Sequence, residues 1–160
     1  MDAFEYLSVL NKEQREAVVH SGSPLLILAG AGSGKTRVIT TKIAYMISEL
    51  GVNPYSILAV TFTKKAANEM QERAVLLEPQ AVKSQIRTFH SFGSWFLRRY
   101  AEEAGLDNNF TVYDDDDMVS LLLKEFPEMN RQQAGGVAHK ISRAKDYCLL
   151  PEDEDKFSIL

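Results

Sequence analysis

The sequence predicts an α/β fold in which a partial parallel sheet is covered by helices and is followed by an all-helical region. An apolar segment of strand length, residues 25–29, leads directly into a glycine-rich turn. Two further segments, 57–61 and 86–89, have strand composition, and helical periodicity separates the three. Strands that alternate with helices of these lengths are typical of parallel sheets.

The glycine-rich turn has the pattern of a phosphate-binding loop (P-loop) that leads into Gly34-Lys35-Thr36. Glycines let backbone N–H groups turn inward around phosphate oxygens, a lysine reaches the β- and γ-phosphates, and a hydroxyl binds Mg²⁺. Lys35 and Thr36 are therefore the candidate catalytic residues, and Thr36 is the candidate metal ligand. The predicted phosphate-binding residues are Ala31, Gly32, Ser33, Gly34, Lys35 and Thr36. The pattern predicts a P-loop NTPase.

Helices are predicted on both sides of this loop. Asn11 and Gln14 have capping-box spacing, which favours a short helix before the first strand. After the loop, Gly51 is a helix stop behind apolar residues at helical spacing, which are Ile39, Ile43, Met46, Ile47 and Leu50. A polar helix follows over about 65–77, with an apolar face of Ala66, Met70 and Ala74.

Beyond His90 the pattern becomes purely helical, and we predict a domain boundary near residue 92, giving domains 1–92 and 93–160. Residues 110–117 allow two interpretations. An apolar segment that ends in carboxylates resembles a Walker B strand, whereas Asp114 followed by three acidic residues is typical of a capped helix start. We favour the helix start.

Composition limits the class of protein. The chain has 160 residues, 45% of them hydrophobic, and a net charge of −4, with the excess of acid beyond residue 112. A polyanion is therefore expected to meet the first part. A single cysteine excludes an internal disulfide. The sequence contains neither an apolar run of membrane-spanning length nor a basic N-terminal region, so we expect a cytoplasmic protein without a membrane segment.

Four segments, in order, resemble the Q motif, motif I, motif Ia and motif Ib of superfamily 1 DNA helicases of the UvrD, Rep and PcrA type. They are Leu10–Val18, Ala29–Arg37, Ala59–Met70 and Arg87–Ser91. The resemblance covers essentially the whole chain. It implies the first half of a RecA-like domain and, after it, the beginning of an inserted helical subdomain.

The resemblance also implies roles for individual residues. Gln14 would read the adenine edge of ATP, and Arg37 would lie near the nucleotide. Phe62 would contact a base of single-stranded DNA, and Thr61 and Thr63 its backbone. Similar helicases often have Asn where this chain has Lys64, and a lysine there can meet a phosphate. The remaining implied DNA-binding residues are Thr88, Phe89 and His90.

The function implied is the N-terminal ATP-binding region of an ATP-dependent DNA helicase, using ATP and Mg²⁺ to move 3′-to-5′ along single-stranded DNA. Its partners would be that DNA and the remainder of the helicase chain, including a second RecA-like domain. The Asp-Glu pair of motif II and the arginine motifs lie further along in this family, so we expect a part of a longer helicase that is inactive alone. Whether it serves repair or replication stays open.

Two alternatives come from other classes. A complete small P-loop ATPase or nucleotide-dependent kinase would use Asp114 or Asp115 to hold the metal. A catalytically idle nucleic-acid-binding or partner-binding module would bind DNA with no dependence on Lys35.

Overall fold

A computed structural model of the chain describes residues 5–153. The chain forms two compact units that divide between Gly105 and Leu106. The first unit contains, in chain order, α1 (Glu5–Ser8), α2 (Lys12–Val19), α3 (Lys35–Ser48), β1 (Leu58–Thr61), α4 (Lys64–Leu77), β2 (Gln85–Thr88) and α5 (Phe89–Arg99). Short 3-10 turns at Pro54–Ser56 and Pro79–Lys83 precede the two strands. The second unit contains α6 (Asp115–Glu125) and α7 (Arg131–Asp146).

The two strands form a parallel pair, as the alternation of strands and helices predicted. Leu58 lies opposite Gln85, and Thr61 lies opposite Thr88. Both strands therefore end at the same edge of the sheet. The second strand stops one residue earlier than predicted, because Phe89 is already the first residue of α5.

The prediction of a strand at 25–29 was wrong. This segment forms no strand, and the sheet consists of β1 and β2. Leu26 and Leu28 are 82% and 88% exposed. A strand satisfies its N–H and C=O groups against a neighbouring strand, and within 5–153 no strand pairs with residues 25–29. Apolar composition alone therefore did not create a strand here.

The helices pack through two apolar clusters. One comprises Tyr6, Leu7, Leu10, Val18 and Val38, and the other comprises Ile43, Ile47, Ile57, Ala74 and Ala81. The periodicity of α3 correctly predicted its two buried isoleucines. In α4 the structure buries Ala67 with Met70 and Ala74, whereas the predicted Ala66 is half-buried. Gly51, the predicted helix stop, has the positive φ (63°) typical of that role.

The predicted boundary near residue 92 differs from the division between the compact units. Helix α5 belongs to the first unit because it packs against both β1 and β2. Aromatic rings contact one another along the helix and its C-cap, with tilted planes and ring centroids 5.8 Å apart for Phe92 and Phe96 and 4.8 Å apart for Phe96 and Tyr100. The change to helical periodicity in the sequence predicts a helix, but it does not predict the compact unit to which that helix belongs.

In the second unit, Asp114 caps α6 as predicted. Its carboxylate accepts a hydrogen bond from the Asp117 N–H (2.9 Å), and the Asp117 carboxylate accepts one from the Asp114 N–H (3.2 Å). Residues 110–113 form no strand, so the Walker B interpretation was wrong. The Arg131 guanidinium pairs with Asp116 at 2.7 Å between α7 and α6. Within 5–153, no helix has the length and apolarity to cross a bilayer.

Helix α3 is tied to the end of α2 by Lys42. The half-buried ammonium donates to the carbonyl oxygens of Ala17 and Val18, both at 3.2 Å, and to that of His20. The last carbonyls of a helix have no partner inside the helix, so the lysine satisfies groups that would otherwise be unpaired. Burial lowers the pKa of this ammonium from its ordinary value.

Replacing Lys42 with Met should lower the free energy of unfolding by about 1–3 kcal/mol, because partly buried carbonyls lose their donor while the apolar stem is kept. Urea unfolding followed by circular dichroism measures the change. The control is Lys65→Met on the exposed surface of α4, for which we expect no more than about 0.5 kcal/mol. Equal midpoints for both variants would contradict this role for Lys42.

Candidate functional site

The phosphate loop takes its shape from two glycines in the left-handed region. Gly32 has φ of 77° and Gly34 has φ of 85°. Gly34 is the N-cap of α3, so the first turn of that helix begins at Lys35 and directs its free N–H groups towards the loop. Free N–H groups and the positive end of the helix dipole favour an anion at this point.

Lys35 lies across this loop. Its ammonium donates to the carbonyl oxygens of Ala29 at 3.0 Å and Gly30 at 2.6 Å. The Ser33 hydroxyl also donates to the Gly30 oxygen, at 2.8 Å. The lysine is thus held by neutral carbonyls on the inner side of the loop. A phosphate group there would be a stronger acceptor for the same ammonium.

Gln14 connects α2 to the loop. Its Oε1 accepts from the Asn11 N–H (3.1 Å), which completes the predicted capping box, and its Nε2 donates to the Ser33 carbonyl (2.9 Å). Both ends of the side-chain amide therefore have protein partners. A contact with adenine, as the helicase resemblance implies, would exchange these bonds for bonds to the base.

A cavity of about 390 Å³ opens above the loop. The backbone of residues 32–36 forms part of its wall, and the side chains that line it include Gln14, Lys35, Arg37 and Arg73. Arg37 is exposed. Arg73 projects from α4, where Glu69 pairs with it at 3.4 Å. Sequence reasoning missed Arg73, because its distance along the chain from the loop gives no local signal.

The lining fits a polyphosphate by its chemistry, because it combines three cationic side chains with backbone N–H donors and contains no carboxylate. Thr36, half-buried in the first turn of α3, brings a hydroxyl to the same cavity. A hydroxyl beside the phosphates is the kind of ligand that a Mg²⁺–nucleotide complex uses.

A second set of predicted residues meets at the carboxyl edge of the sheet. Phe62 follows β1 and Phe89 follows β2, and their ring centroids lie 5.3 Å apart with planes tilted by 45°. The rings are 84% and 50% exposed. Aromatic side chains usually bury most of their surface, so two exposed rings in contact form a surface suited to stacking.

Threonines flank these rings. Thr63 caps α4 by accepting from the Ala66 N–H (3.1 Å), and Thr88 caps α5 by accepting from the Ser91 N–H (3.1 Å). A capping hydroxyl still has its own hydrogen to donate. The exposed Thr63 hydroxyl can therefore cap a helix and bind an anion, whereas Thr88 is buried, with 7% of its surface exposed. The other predicted contacts at this edge are Thr61, half-buried, and Lys64 and His90, both exposed.

Residues 10–158 match the family model described as the UvrD/REP helicase N-terminal domain. The chain is 50% identical to the ATP-dependent DNA helicase PcrA of Staphylococcus aureus strain Mu50 over 117 residues, which cover 72% of this chain and 16% of that protein. It is 44% identical to the ATP-dependent DNA helicase PcrA of Staphylococcus epidermidis over 152 residues, covering 92% of this chain and 21% of that protein. The chain spans about a fifth of the length of these relatives.

Replacing Gly34 with Ala should destabilise the protein by about 1–2 kcal/mol, because a side chain in the left-handed region meets its own backbone. The added Cβ would also lie 2.8 Å from Gln14 Nε2 and displace that amide from Ser33. Gly30→Ala is the matched control: φ at Gly30 is not positive, and no atom lies within 4 Å of the added Cβ. Urea unfolding of both variants tests this, and a Gly34→Ala protein as stable as Gly30→Ala would contradict it.

Proposed function

Because the chain belongs to the UvrD/Rep helicase N-terminal domain family, we propose that it is the ATP-binding and first DNA-binding region of an ATP-dependent DNA helicase. The observation that carries the proposal is the exposed Phe62–Phe89 pair, which lies in the same compact unit as the phosphate loop. An NTPase that acts on a small molecule has no need of such a pair. A protein that binds single-stranded nucleic acid uses such a pair, because every base has a face that can stack on an aromatic ring.

The nucleotide half of the proposal uses the loop and its helix. Lys35 would transfer its hydrogen bonds from the two loop carbonyls to the β- and γ-phosphates of ATP. Thr36 would hold Mg²⁺ through its hydroxyl, and that ion would supply neutralisation of the phosphate charge. Gln14 would contact adenine after release from Ser33, and Arg37 would lie beside the nucleotide. Ala31, Gly32, Ser33 and Gly34 would provide backbone donors.

The DNA half uses the carboxyl edge of the sheet. Phe62 and Phe89 would stack with bases, which is worth about 1–3 kcal/mol per base and is tolerant of sequence. The hydroxyl of Thr63 would donate to a backbone phosphate while it caps α4. The remaining proposed contacts with the backbone are Thr61, Lys64, Thr88 and His90.

The rest of the proposal concerns the larger helicase. Residues 1–92 would be part of a first RecA-like domain, and 93–160 would begin an inserted helical subdomain, with α5 packed on the first. The exposed side chains of 25–28 would be covered by sheet neighbours supplied elsewhere in the helicase. A second RecA-like domain would close over ATP and drive 3′-to-5′ movement along single-stranded DNA in the cytoplasm.

Lys35→Ala should weaken binding of a fluorescent Mg-ATP analogue by about 10-fold or more, because two charge-assisted hydrogen bonds to phosphate are lost. Fluorescence anisotropy measures this, and Lys65→Ala is the control with unchanged affinity. The chain should show no ATP turnover above the Lys35→Ala background, with or without DNA, because phosphoryl transfer also needs a group to position water. Turnover above that background would contradict the dependence on other parts of the helicase.

Phe62→Ala and Phe89→Ala should each weaken binding of a labelled oligothymidylate by about 5-fold or more, the lower end of what one stacked base contributes. Anisotropy titrations with the 160-residue chain measure the affinities, and circular dichroism checks folding. Leu76→Ala is the control, since Leu76 is 78% exposed at the far end of α4. If all three variants bind like the parent chain, the rings do not line the DNA path.

A further inference from the structure

Arg73 lines the cavity above the phosphate loop from α4, a helix that is fixed on the core of the first unit. Its neighbours Met70 and Ala74 are 5% and 0% exposed, and Ala74 belongs to an apolar cluster with Ile43 and Ile47 of α3. The Arg73 side chain itself is 54% exposed. Packing therefore fixes the backbone at Arg73, whereas its side chain can exchange one partner for another.

The partner of Arg73 in the structure is a carboxylate. Glu69 lies four residues earlier on α4, and its Oε2 is 3.4 Å from Arg73 Nη2. Glu69 is not among the residues that line the cavity. Charge-assisted hydrogen bonds are usually about 2.7–2.9 Å long, so this pair is loose. The pair thus ties a cavity cation to an anion outside the cavity.

The other two cations of the cavity are held differently. Lys35 donates to the neutral carbonyls of Ala29 and Gly30. Arg37 forms no ion pair within residues 5–153. Among these three, Arg73 is the cation whose charge a carboxylate already balances. A carboxylate binds a guanidinium more strongly than a neutral carbonyl does, so it competes better with an incoming phosphate.

We propose that Glu69 is a positioning residue for the nucleotide site. Its carboxylate holds Arg73 when no nucleotide is bound and competes with phosphate for the same guanidinium. When a nucleotide binds, Arg73 exchanges Glu69 for a phosphate oxygen, and Glu69 is left to solvent. Glu69 thereby lowers the affinity for the nucleotide. This inference rests on the proposed function, because it concerns the same nucleotide site.

Glu69→Gln tests the competition directly, and Glu72→Gln is its matched control. Both changes remove one negative charge from α4, but Glu72 is exposed and forms no ion pair within 5–153. Glu69→Gln should strengthen binding of a fluorescent Mg-ATP analogue about twofold at low salt, which is the contribution of a surface pair of this spacing. Glu72→Gln should have a smaller effect. Equal effects of the two changes would overturn the proposal.

Stability separates positioning from a structural role. A glutamate four residues before an arginine also stabilises a helix, so Glu69→Gln should leave the urea midpoint unchanged or slightly lower it. A purely structural glutamate would give no gain in nucleotide affinity. Affinity that rises while stability does not rise therefore supports the proposal, and affinity that stays constant or falls contradicts it.

A double-mutant cycle shows whether Glu69 acts through Arg73. Arg73→Gln should weaken binding of the analogue about threefold or more, because a charge-assisted contact with phosphate is lost. In the Arg73→Gln protein, Glu69→Gln should then have no more effect than Glu72→Gln. A twofold gain from Glu69→Gln that persists without Arg73 would overturn the proposed competition.

Inorganic tripolyphosphate identifies the part of the nucleotide that Arg73 meets. Its affinity, measured by displacement of the analogue, should rise in Glu69→Gln and fall in Arg73→Gln, as for the analogue itself. If both variants change binding of the analogue but not of tripolyphosphate, Arg73 meets the nucleoside and competition with phosphate is wrong.

The outcomes also separate this inference from the proposed function. Binding of the analogue that needs Lys35 but is the same in the parent chain, Glu69→Gln and Arg73→Gln overturns only the role of Glu69. Absence of binding, or binding that Lys35→Ala does not weaken, overturns the nucleotide site and this inference with it.

Discussion

Parallel pairing of β1 with β2 is the constraint on which the candidate DNA surface depends. Because Thr61 lies opposite Thr88, the residues that follow each strand leave the sheet at one edge. Phe62 and Phe89 meet there although the whole of α4 separates them in the chain. Helices α4 and α5 begin directly after these strands, so both helix N-termini lie at this edge of the sheet. An antiparallel pair would have placed these residues at opposite ends.

The phosphate loop depends on a different kind of constraint, which is local. Gly32 and Gly34 adopt backbone conformations that other residues avoid, and Lys35 and Gln14 use their hydrogen bonds to hold the loop in place. Each of these bonds joins a side chain to a neutral backbone carbonyl. Bonds to phosphate are stronger. The polar ends of Lys35 and Gln14 are therefore satisfied within the protein.

Two other features of the first unit are groups that lack a partner in the described structure. Leu26 and Leu28 are exposed because no neighbouring strand pairs with their segment in 5–153, and Ser84 Oγ is buried without a partner. Both features cost free energy in the isolated fold. Under the proposed function, sheet neighbours elsewhere in the helicase would cover the two leucines.

The sequence by itself determined what short-range chemistry controls. The capping box at Asn11, the helix cap at Asp114, the stop at Gly51 and the glycine turn that opens α3 need only a few neighbouring residues, and all four were predictable. Tertiary structure alone decided that residues 25–29 form no strand, that α5 joins the first unit, and that Arg73 lines the cavity above the loop. Strand pairing and packing depend on partners far along the chain, and no local pattern of residues encodes where those partners will lie.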